Sequence, residues 1–339
     1  FHGPTLAFKD VALQFLGNLF EWVLSQQNNQ LNILGATSGD TGSAAIMGIR
    51  GKKNINIFIL HPKGKISEIQ EKQMTTVLDD NVFNIAIEGT FDDGQTIIKE
   101  VFNDLDFKDQ YHLGAVNSIN FARVMAQIVY YFYSAFRFSE KYPDAPLIFS
   151  VPTGNFGDIY AGYLAKQMGL PIDKLILATN ENDILYRVLT TGKYAVKDVF
   201  PSISPSMDIQ IASNFERFLF DLLNRDSQKL VNKMEFLSKN GSFAIDDKEL
   251  KAARNLFIPA RVEAARVEAC IRKYAKNGYI LDPHTAVGVA AAEDNYQDRV
   301  ICLATAHPGK FKDSVENILK TELELPEALS SLFNKESRC

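Results

Sequence analysis

Short apolar runs alternate along the chain with longer segments in which apolar residues recur at helical spacing. Nearly continuous apolarity is typical of parallel strands that are covered on both faces. The alternation of strands and helices predicts an α/β fold, in which open, mostly parallel sheets are flanked by helices in two lobes. Buried strands are predicted at 31–37, 55–60, 82–88, 146–151, 174–179 and 299–304, and helices at 11–24, 41–49, 121–138, 158–168 and 260–276.

A domain boundary is predicted at 139–146, where two prolines and three charged residues separate a long helix from the strongest strand. We therefore expect a lysine-bearing segment and helix at 1–30, a smaller α/β lobe at 31–138 and a larger α/β lobe at 139–339. The stretch 200–247 begins with serines and prolines and continues with irregular amphipathic patterning. It is predicted to be a loop followed by peripheral helices, without a catalytic signal of its own.

Composition narrows the possible partners. The chain has 339 residues, of which 46% are apolar, and this is enough for two domains with large cores. A formal charge of −5 gives no general attraction for nucleic acid or an anionic membrane. No run approaches the roughly 20 apolar residues of a membrane-spanning helix. We expect neither nucleic acid nor a membrane as a partner.

Cysteine usage indicates a reducing compartment. Cys270, Cys302 and Cys339 are the three cysteines, and their spacing matches neither a metal site nor a redox motif. An odd, widely spaced set gives little support for a disulfide framework or a structural zinc site. The expected location is the cytoplasm, and no metal is expected.

The first chemical motif is 1–10, FHGPTLAFKD, in which Lys9 lies among apolar residues just before a helical pattern. Burial disfavours the ammonium form, and an amine with a lowered pKa is a better nucleophile and general base near neutral pH. The plain alternative is a surface lysine in the first turn of a helix, which is the usual place for an isolated lysine.

The second motif is 150–158, SVPTGNFGD, between a predicted strand and a predicted helix. Free main-chain N–H groups at a helix N-terminus bind anions, and glycines let the backbone approach them closely, so this turn is suited to a phosphate. The glycine spacing matches neither the dinucleotide fingerprint nor the Walker loop. The alternative is a structural turn, which α/β loops need in any case.

The third motif is 36–45, ATSGDTGSAA, which again joins a strand to a helix and crowds hydroxyls and amides at the turn. Such a turn would suit a carboxylate. The alternative is an ordinary N-cap, because serine, threonine and aspartate are preferred there.

Taken together, the segments 1–10, 37–42, 154–157 and 304–310 resemble, in this order, the long-chain threonine synthases. These are fold-type II pyridoxal-phosphate enzymes, whose two-lobed fold is similar to that of the tryptophan synthase β subunit. The resemblance continues through 62–67 and 117–120 and so covers essentially the whole chain. It implies a further N-terminal domain of roughly 80 to 100 residues ahead of the lysine motif, which this sequence does not contain.

The resemblance also implies roles for particular residues. Lys9 corresponds to the lysine that carries the cofactor, pyridoxal 5'-phosphate, and Thr305 to a hydroxyl partner of its pyridine nitrogen. A neutral hydroxyl partner is expected to leave that nitrogen largely unprotonated. The phosphate cup of the cofactor corresponds to Gly154, Asn155, Phe156 and Gly157, and the substrate-carboxylate loop to Thr37, Ser38, Gly39, Asp40 and Thr41.

Asp40 stands where many related enzymes have an asparagine that faces the phenolic oxygen of the cofactor. Two oxyanions in contact repel each other, so Asp40 is expected to be protonated, turned away or bridged. For the phosphate of the substrate, cationic and amide donors are the candidates, and arginine suits phosphate best because of its forked donors. These candidates are Lys65, Asn117, Ser118, Asn120, Arg123 and Lys310.

The reaction implied by the resemblance is the conversion of O-phospho-L-homoserine and water to L-threonine and phosphate. It would proceed through a pyridoxal-phosphate aldimine, with β,γ-elimination and hydration at the β carbon, and Lys9 would transfer several of the protons. Two alternatives stay open: a phospho-lyase that gives 2-oxobutyrate, and a non-catalytic phosphometabolite-binding protein. The expected assembly is a monomer or a homodimer.

Overall fold

A computed structural model describes residues 3–37 and 39–339. The strands are β1 (Leu31–Ala36), β2 (Ile55–Pro62), β3 (Val82–Ile87), β4 (Leu113–Gly114), β5 (Leu147–Pro152), β6 (Ile172–Thr179), β7 (Lys193–Ala195), β8 (Ser242–Ala244), β9 (Phe257–Arg261) and β10 (Ile301–Cys302). The α-helices are α1 (Lys9–Gln27), α2 (Asp40–Ile49), α3 (Glu68–Thr75), α4 (Phe91–Asn103), α5 (Leu105–Gln110), α6 (Phe121–Lys141), α7 (Gly157–Gln167), α8 (Ile184–Thr191), α9 (Phe215–Leu222), α10 (Ser227–Asn240), α11 (Asp247–Arg254), α12 (Ala264–Ala275), α13 (Pro283–Asn295), α14 (Lys312–Leu319) and α15 (Glu327–Ser330). Short 3-10 helices occur at Pro205–Met207, Pro308–Phe311 and Ser331–Asn334.

The chain divides into two compact units. The first unit consists of the described residues of Phe1–Ala126 together with Ala306–Asp313 and Thr321–Cys339. The second unit consists of Gln127–Thr305 and Ser314–Lys320. The division at residue 139 that was expected from sequence stays a prediction. Within residues 3–37 and 39–339, no helix combines the length and the apolarity that crossing a membrane requires.

The first unit is built on a parallel sheet with the strand order β3-β2-β1-β4. Ile33 pairs with Ile57, and Ile57 pairs with Val82, so that a row of fully buried aliphatic side chains crosses the sheet. The core also contains the inner faces of α1 and α2. Burial of such side chains is the main stabilising contribution to a sheet of this kind.

Helices α1 and α2 cross at unusually short range because each has a glycine at the crossing point. A Cβ atom on Gly17 would lie 2.0 Å from the carbonyl oxygen of Gly48, and one on Gly48 would lie 2.4 Å from that of Leu13. No larger residue fits at either position without moving a helix. The crossing therefore fixes the position of the N-terminus of α1 beside that of α2.

The second unit is built on a parallel sheet with the order β10-β5-β6-β9, and β7 and β8 form a separate antiparallel pair. Every residue of β5 is buried, as expected for a central parallel strand. Helix α13 lies against the end of this strand, where a Cβ atom on Gly288 would come within 2.9 Å of the Pro152 ring. The Ser150 hydroxyl donates a hydrogen bond of 2.6 Å to the Gly288 carbonyl oxygen.

The α/β class with parallel sheets flanked by helices is confirmed, but two predicted elements were wrong in extent. The helix expected at 260–276 begins at Ala264, because Phe257–Arg261 forms strand β9 and pairs with β6. Pro259 fits there because β9 is an edge strand of its sheet. The strand expected at 299–304 is reduced to Ile301–Cys302, which pairs with β5 over those two positions.

Candidate active site

Lys9 is the first residue of α1, and its side chain is largely buried, with 14% of its surface exposed. The tight crossing of α1 and α2 brings it beside Asp40, the first residue of α2. The Lys9 Nζ atom lies 3.6 Å from an Asp40 carboxylate oxygen. Lys9 is thus in the first turn of a helix, as the plain alternative assumed, but it is not a surface lysine.

Asp40 is bridged, which was one of the three possibilities left open by the sequence. Its Oδ1 atom accepts hydrogen bonds from Lys310 Nζ at 2.9 Å and from Gln70 Nε2 at 3.0 Å. Its Oδ2 atom faces Lys9. The carboxylate is 5% exposed and the Lys310 side chain is 0% exposed, so this ion pair is fully enclosed. A buried carboxylate of this kind needs such partners to offset its desolvation.

Burial lowers the pKa of Lys9 below the ordinary lysine value. Asp40 opposes this shift, whereas the positive charges of Arg123 and Lys310 add to it. Two amines thus share one carboxylate, and Lys310 makes the closer contact with it. The net effect is that the free amine of Lys9 is available at lower pH than that of an exposed lysine.

Lys310 reaches this cluster because segment 306–310 runs beside segment 5–7. Ala7 and Ala306 form an antiparallel bridge, and the main-chain N–H of His307 donates to the Leu6 carbonyl oxygen at 2.9 Å. Lys310 Nζ donates a second hydrogen bond of 2.8 Å to the Thr5 carbonyl oxygen. Residues 5–7 and 306–310, which are about 300 residues apart in the sequence, therefore meet at one site.

Asp10 holds the lysine motif in shape, and sequence reasoning assigned it no role. Its side chain is buried and accepts hydrogen bonds from the main-chain N–H of Thr5 at 2.9 Å and of Ala7 at 3.3 Å, and from the Thr5 hydroxyl. Gln73 Nε2 donates to the Thr5 carbonyl oxygen at 3.0 Å. These contacts fix the turn that precedes Lys9. Their only signal in the sequence is a polar pair of residues, Thr5 and Asp10, within an apolar motif.

The loop at 37–42 uses one of its hydroxyls internally. Thr37 Oγ1 accepts hydrogen bonds from the main-chain N–H groups of Gly39 at 3.0 Å and Gly42 at 2.9 Å. Gly39 has a φ angle of 141°, and a Cβ atom there would lie 2.4 Å from the Gln70 side chain, so only glycine fits. Thr41 is half-buried, and Ser38 lies outside the described residues.

The turn at 153–157 exposes a set of main-chain donors at the start of α7. Phe156 has a left-handed backbone conformation with a φ angle of 63°, which a non-glycine residue adopts only when its surroundings enforce it. Among the described residues, none accepts a hydrogen bond from the main-chain N–H groups of Gly154, Asn155, Phe156 or Gly157. Free amides at a helix N-terminus form an anion site, and the turn therefore fits a phosphate group.

An aromatic cluster enforces the conformation of this turn. The Phe156 ring is fully buried, with ring centroids 5.3 Å from Phe215, 5.8 Å from Phe218 and 5.7 Å from Phe257. Its side chain therefore serves as an anchor for the turn. The buried ring thus fixes the positions of the neighbouring main-chain amides without the help of a charged residue.

The stretch 200–247 was predicted to be peripheral, but residues 206–214 support this turn directly. The main-chain N–H of Asn214 donates to the Asn155 carbonyl oxygen at 3.1 Å, and Ser213 Oγ donates to the Asn155 side chain at 3.3 Å. A Cβ atom on Gly154 would lie 3.0 Å from the Ser206 carbonyl oxygen. No local sequence pattern marks these contacts, because they join segments about 50 residues apart.

Thr305 lies in a network of hydroxyls around a buried carboxylate that sequence reasoning missed. Asp282 caps the N-terminus of α13 and is 1% exposed. Thr305 Oγ1 lies 3.2 Å from Asp282 Oδ1 and 3.2 Å from Thr285 Oγ1. The Asp-Pro pair at 282–283 is a recognisable helix start, so the cap could have been predicted, although its contact with Thr305 could not.

The residues expected to bind the substrate phosphate differ in how much of each side chain is exposed to solvent. Lys65 and Asn117 are exposed, and Ser118 and Asn120 are half-buried. Asn120 accepts a hydrogen bond of 3.0 Å from the Ala122 main-chain N–H at the start of α6. Arg123 is 4% exposed and donates to the Val116 carbonyl oxygen at 2.8 Å. Lys310 is paired with Asp40, and the role of the group in binding the substrate phosphate stays a prediction.

Comparison with known proteins supports the resemblance to the threonine synthases that was inferred from the sequence. A family model for the pyridoxal-phosphate dependent enzymes matches residues 1–305, and one for the threonine synthase C-terminal region matches residues 285–339. The threonine synthase of Pseudomonas aeruginosa is 49% identical over 100% of this chain and 73% of its own length. That of Saccharomyces cerevisiae is 50% identical over 94% of this chain and 68% of its own length.

The chain belongs to the threonine synthase family. The family resemblance, the fold-type II architecture and the use of pyridoxal phosphate that were expected from the sequence are thereby confirmed. The crystal structure of the pyridoxal-phosphate-bound threonine synthase of Brucella melitensis superposes with a TM-score of 0.95 at 49% identity, over 99% of this chain and 73% of that one. The yeast threonine synthase structure gives 0.93 at 47% identity, over 99% of this chain and 73% of that one. Family members are pyridoxal-phosphate-dependent lyases.

Proposed function

We propose that this chain converts O-phospho-L-homoserine and water to L-threonine and orthophosphate, with Lys9 as its catalytic base and cofactor-bearing residue. The observation that carries the proposal is the Lys9 amine itself, which is buried, has a lowered pKa and lies 3.6 Å from Asp40. An amine that forms and breaks covalent bonds has to be available in its neutral form, and burial supplies it.

Each unit, taken by itself, has groups suited to one part of pyridoxal phosphate. The free amides of Gly154, Asn155, Phe156 and Gly157 would hold its phosphate, Lys9 its aldehyde carbon and Thr305 its ring nitrogen. Asp40, bridged by Lys310 and Gln70, would lie toward its phenolic oxygen. When bound, the cofactor supplies a conjugated ring that takes up electron density from the α carbon of the substrate.

Lys9 performs the proton transfers. Its neutral amine removes the α proton of the substrate, and the resulting ammonium group lies within 3.6 Å of the Asp40 carboxylate, which stabilises it. The same amine transfers a β proton, and this sets up departure of the γ phosphate. Water then adds at the β carbon, and protons return to carbon. The overall products are L-threonine and orthophosphate. One positioned amine can serve successive steps because it does not leave the site.

Lys310 keeps this amine in its reactive state. It is completely buried and supplies the positive charge that neutralises Asp40. Without it, Lys9 would lose a neighbouring positive charge that competes for that carboxylate, and it would hold its proton more firmly. We therefore propose a positioning role for Lys310, in addition to the substrate-phosphate role that the resemblance implied.

The substrate would be held through its two charged ends. Its carboxylate would lie on the loop formed by Thr37, Ser38, Gly39, Asp40 and Thr41, and its phosphate near Lys65, Asn117, Ser118, Asn120 and Arg123. Arg123 also lowers the Lys9 pKa through its charge, so it lies close enough to act on the same site. An anionic group bound there would reduce that effect by neutralising the guanidinium.

We further propose that the protein acts in the cytoplasm as a monomer or a homodimer. Cys270, Cys302 and Cys339 are free thiols in the structure, and this is the usual state of cysteines in a reducing compartment. Light scattering on the purified protein distinguishes the two assemblies.

A product assay tests the proposed function. The chain, loaded with pyridoxal phosphate, is given O-phospho-L-homoserine, and threonine, orthophosphate and 2-oxobutyrate are measured. We expect threonine and orthophosphate in equal amounts, and a loss of at least about 10²-fold in rate for Lys9→Ala. Lys63→Ala is the matched control, because Lys63 is an exposed lysine of the same unit and should leave the rate unchanged. Formation of 2-oxobutyrate in place of threonine would establish the alternative phospho-lyase activity.

A further inference from the structure

Asp282 is the most heavily hydrogen-bonded carboxylate near the proposed cofactor residues of the second unit. Its Oδ1 atom accepts hydrogen bonds from the main-chain N–H groups of His284 at 2.9 Å and Thr285 at 3.3 Å. Its Oδ2 atom accepts a hydrogen bond from the Thr285 hydroxyl. On its remaining side lies Thr305, whose Oγ1 is 3.2 Å from Oδ1 and 3.4 Å from Oδ2. The mechanism above gives this carboxylate no role.

The protons around Asp282 can be placed one by one. His284 Nε2 accepts a hydrogen bond of 3.1 Å from the Ser206 main-chain N–H, so the ring proton of the neutral histidine is on Nδ1. That Nδ1 atom lies 3.1 Å from Asp282 Oδ1 and donates to it. The Thr285 hydroxyl donates to Asp282, and its oxygen accepts from the Thr305 main-chain N–H at 3.0 Å. Neither His284 nor Thr285 has a second side-chain proton to offer to the Thr305 hydroxyl.

The direction of the Thr305 hydroxyl follows from this placement. Its three oxygen neighbours, the two of Asp282 and that of Thr285, can only accept a proton from it. Donation to a carboxylate is a charge-assisted hydrogen bond and is stronger than donation to a neutral acceptor. The Thr305 proton therefore points toward the protein, and the oxygen presents its lone pairs on its other side.

We propose that Asp282, acting through Thr305, makes this enzyme bind its cofactor with the pyridine nitrogen protonated. The inference rests on the proposed assignment of Thr305 to the ring nitrogen. A hydroxyl oxygen that offers only lone pairs can form a hydrogen bond with a ring N–H, but not with an unprotonated nitrogen. Asp282 is a positioning residue in this account, because it acts on the ring through Thr305 and does not touch it.

This protonation state is the opposite of the one expected from the sequence. A lone threonine hydroxyl was expected to leave the nitrogen unprotonated, and that expectation did not include the carboxylate behind it. A protonated ring takes up electron density more completely than a neutral ring. The proposed arrangement would therefore ease removal of the α proton by Lys9.

Nitrogen NMR of the holoenzyme tests the proposal directly. The chain is loaded with pyridoxal phosphate labelled with ¹⁵N in the ring, and the resonance is compared with protonated and unprotonated free cofactor. We expect the wild-type resonance at the protonated position. In Asp282→Asn the resonance should move to the unprotonated position, because an amide NH₂ would donate to the Thr305 oxygen and turn its proton outward. Asparagine is also a good N-cap, so α13 should be retained.

Controls separate the inference from the function on which it rests. Asp246→Asn changes another capping carboxylate of the second unit, at the exposed start of α11, and should leave the resonance unchanged. If Thr305→Val leaves the resonance unchanged, the assignment of Thr305 fails, and the inference fails with it. If Thr305→Val moves the resonance but Asp282→Asn does not, only the inference fails.

The wild-type protein alone is already decisive. An unprotonated wild-type nitrogen overturns the inference even if Asp282→Asn fails to fold, and it leaves the roles of Lys9 and Thr305 intact. Failure of the wild-type protein to retain the labelled cofactor would overturn the inference and the proposed function together.

Discussion

The two units contribute opposite kinds of chemistry. In the first unit, Lys9, Asp40 and Lys310 form an enclosed cluster of three ionisable side chains, in which burial and neighbouring charges set the state of one amine. In the second unit, the turn around Phe156 has no charged side chain of its own among 153–157, and its donors are main-chain amides. A residue that forms covalent bonds needs a side chain with a shifted pKa, whereas an anion site needs only main-chain N–H groups in suitable positions.

This difference predicts different sensitivities. The first-unit cluster should respond to changes of charge at nearly constant volume, because its electrostatic balance is delicate. The second-unit turn should respond to changes of volume at constant charge, because the packing of neutral groups and neutral hydrogen bonds maintain its strained backbone. The four predictions that follow test this contrast, beginning with the largest effect.

The largest effect is expected for Phe156→Ala. Removing a fully buried ring that packs against four other aromatic rings should lower the free energy of unfolding by about 3–5 kcal/mol. The 153–157 turn should also lose its shape, and the affinity for pyridoxal phosphate should fall. Urea unfolding and a cofactor titration measure both. Phe236→Ala, at an exposed phenylalanine of α10, is the control, and equal losses in the two variants would refute the anchoring role.

The next effect is expected for Lys310→Met, which removes a buried charge with little change of volume. Lys9 would then lose the competing positive charge of Lys310 on Asp40, and its pKa should rise. At any pH below that pKa a smaller fraction of the amine is neutral, so the rate of cofactor attachment should reach its plateau at higher pH. Stopped-flow absorbance over a pH series measures the shift.

An unchanged pH profile in Lys310→Met would show that Lys310 does not tune Lys9. Lys53→Met, at an exposed lysine of the same unit, is the control and should leave the profile unchanged.

A smaller effect is expected for Asn214→Ala. The Asn214 side chain donates a hydrogen bond of 3.3 Å to the Asn155 carbonyl oxygen and accepts one of 3.2 Å from Arg217. Loss of a buried partner should cost about 1 kcal/mol and weaken cofactor binding several-fold. Asn240→Ala removes an exposed asparagine side chain that also bonds a carbonyl oxygen, and it should have little effect on cofactor binding. Equal affinities in wild type and Asn214→Ala would contradict the supporting role of 206–214.

The smallest effect is expected for Lys65→Ala. Lys65 is exposed, and a solvated charge contributes about 1 kcal/mol or less to a contact. The KM for O-phospho-L-homoserine should rise by less than about tenfold, while cofactor affinity stays constant. Steady-state kinetics at two salt concentrations should show the difference shrinking at the higher one. A fall in kcat with constant KM would mean that Lys65 has a different role.

Local patterns were enough to predict strands β1, β2, β3, β5 and β6, because each is encoded within about ten consecutive residues, whereas part of β9 was taken for a helix. Partners brought in from elsewhere in the chain could not be predicted in this way. Gln70 reaches Asp40 from α3, and Asn214 reaches Asn155 from a stretch that had been assigned no role. Their positions depend on how the units fold, and no sequence spacing encodes that.

The proposed protonation of the ring nitrogen shows the same limit in chemical terms. Thr305 could be named from its motif, but its hydroxyl direction depends on Asp282, which lies 23 residues earlier in the sequence. The strand expected at 299–304 would have placed Thr305 at its end, but β10 ends at Cys302, three residues before Thr305. A motif can thus point to a residue without revealing the carboxylate that its hydroxyl contacts.

The central claim is that Lys9 carries the cofactor, and one measurement tests it most directly. The holoenzyme is treated with borohydride, digested and analysed by mass spectrometry to locate the lysine that has gained the reduced cofactor. We predict a single modified peptide, with the added mass on Lys9 and no modification of Lys310. Attachment at Lys310 or at any other lysine, with Lys9 unmodified, would contradict the account.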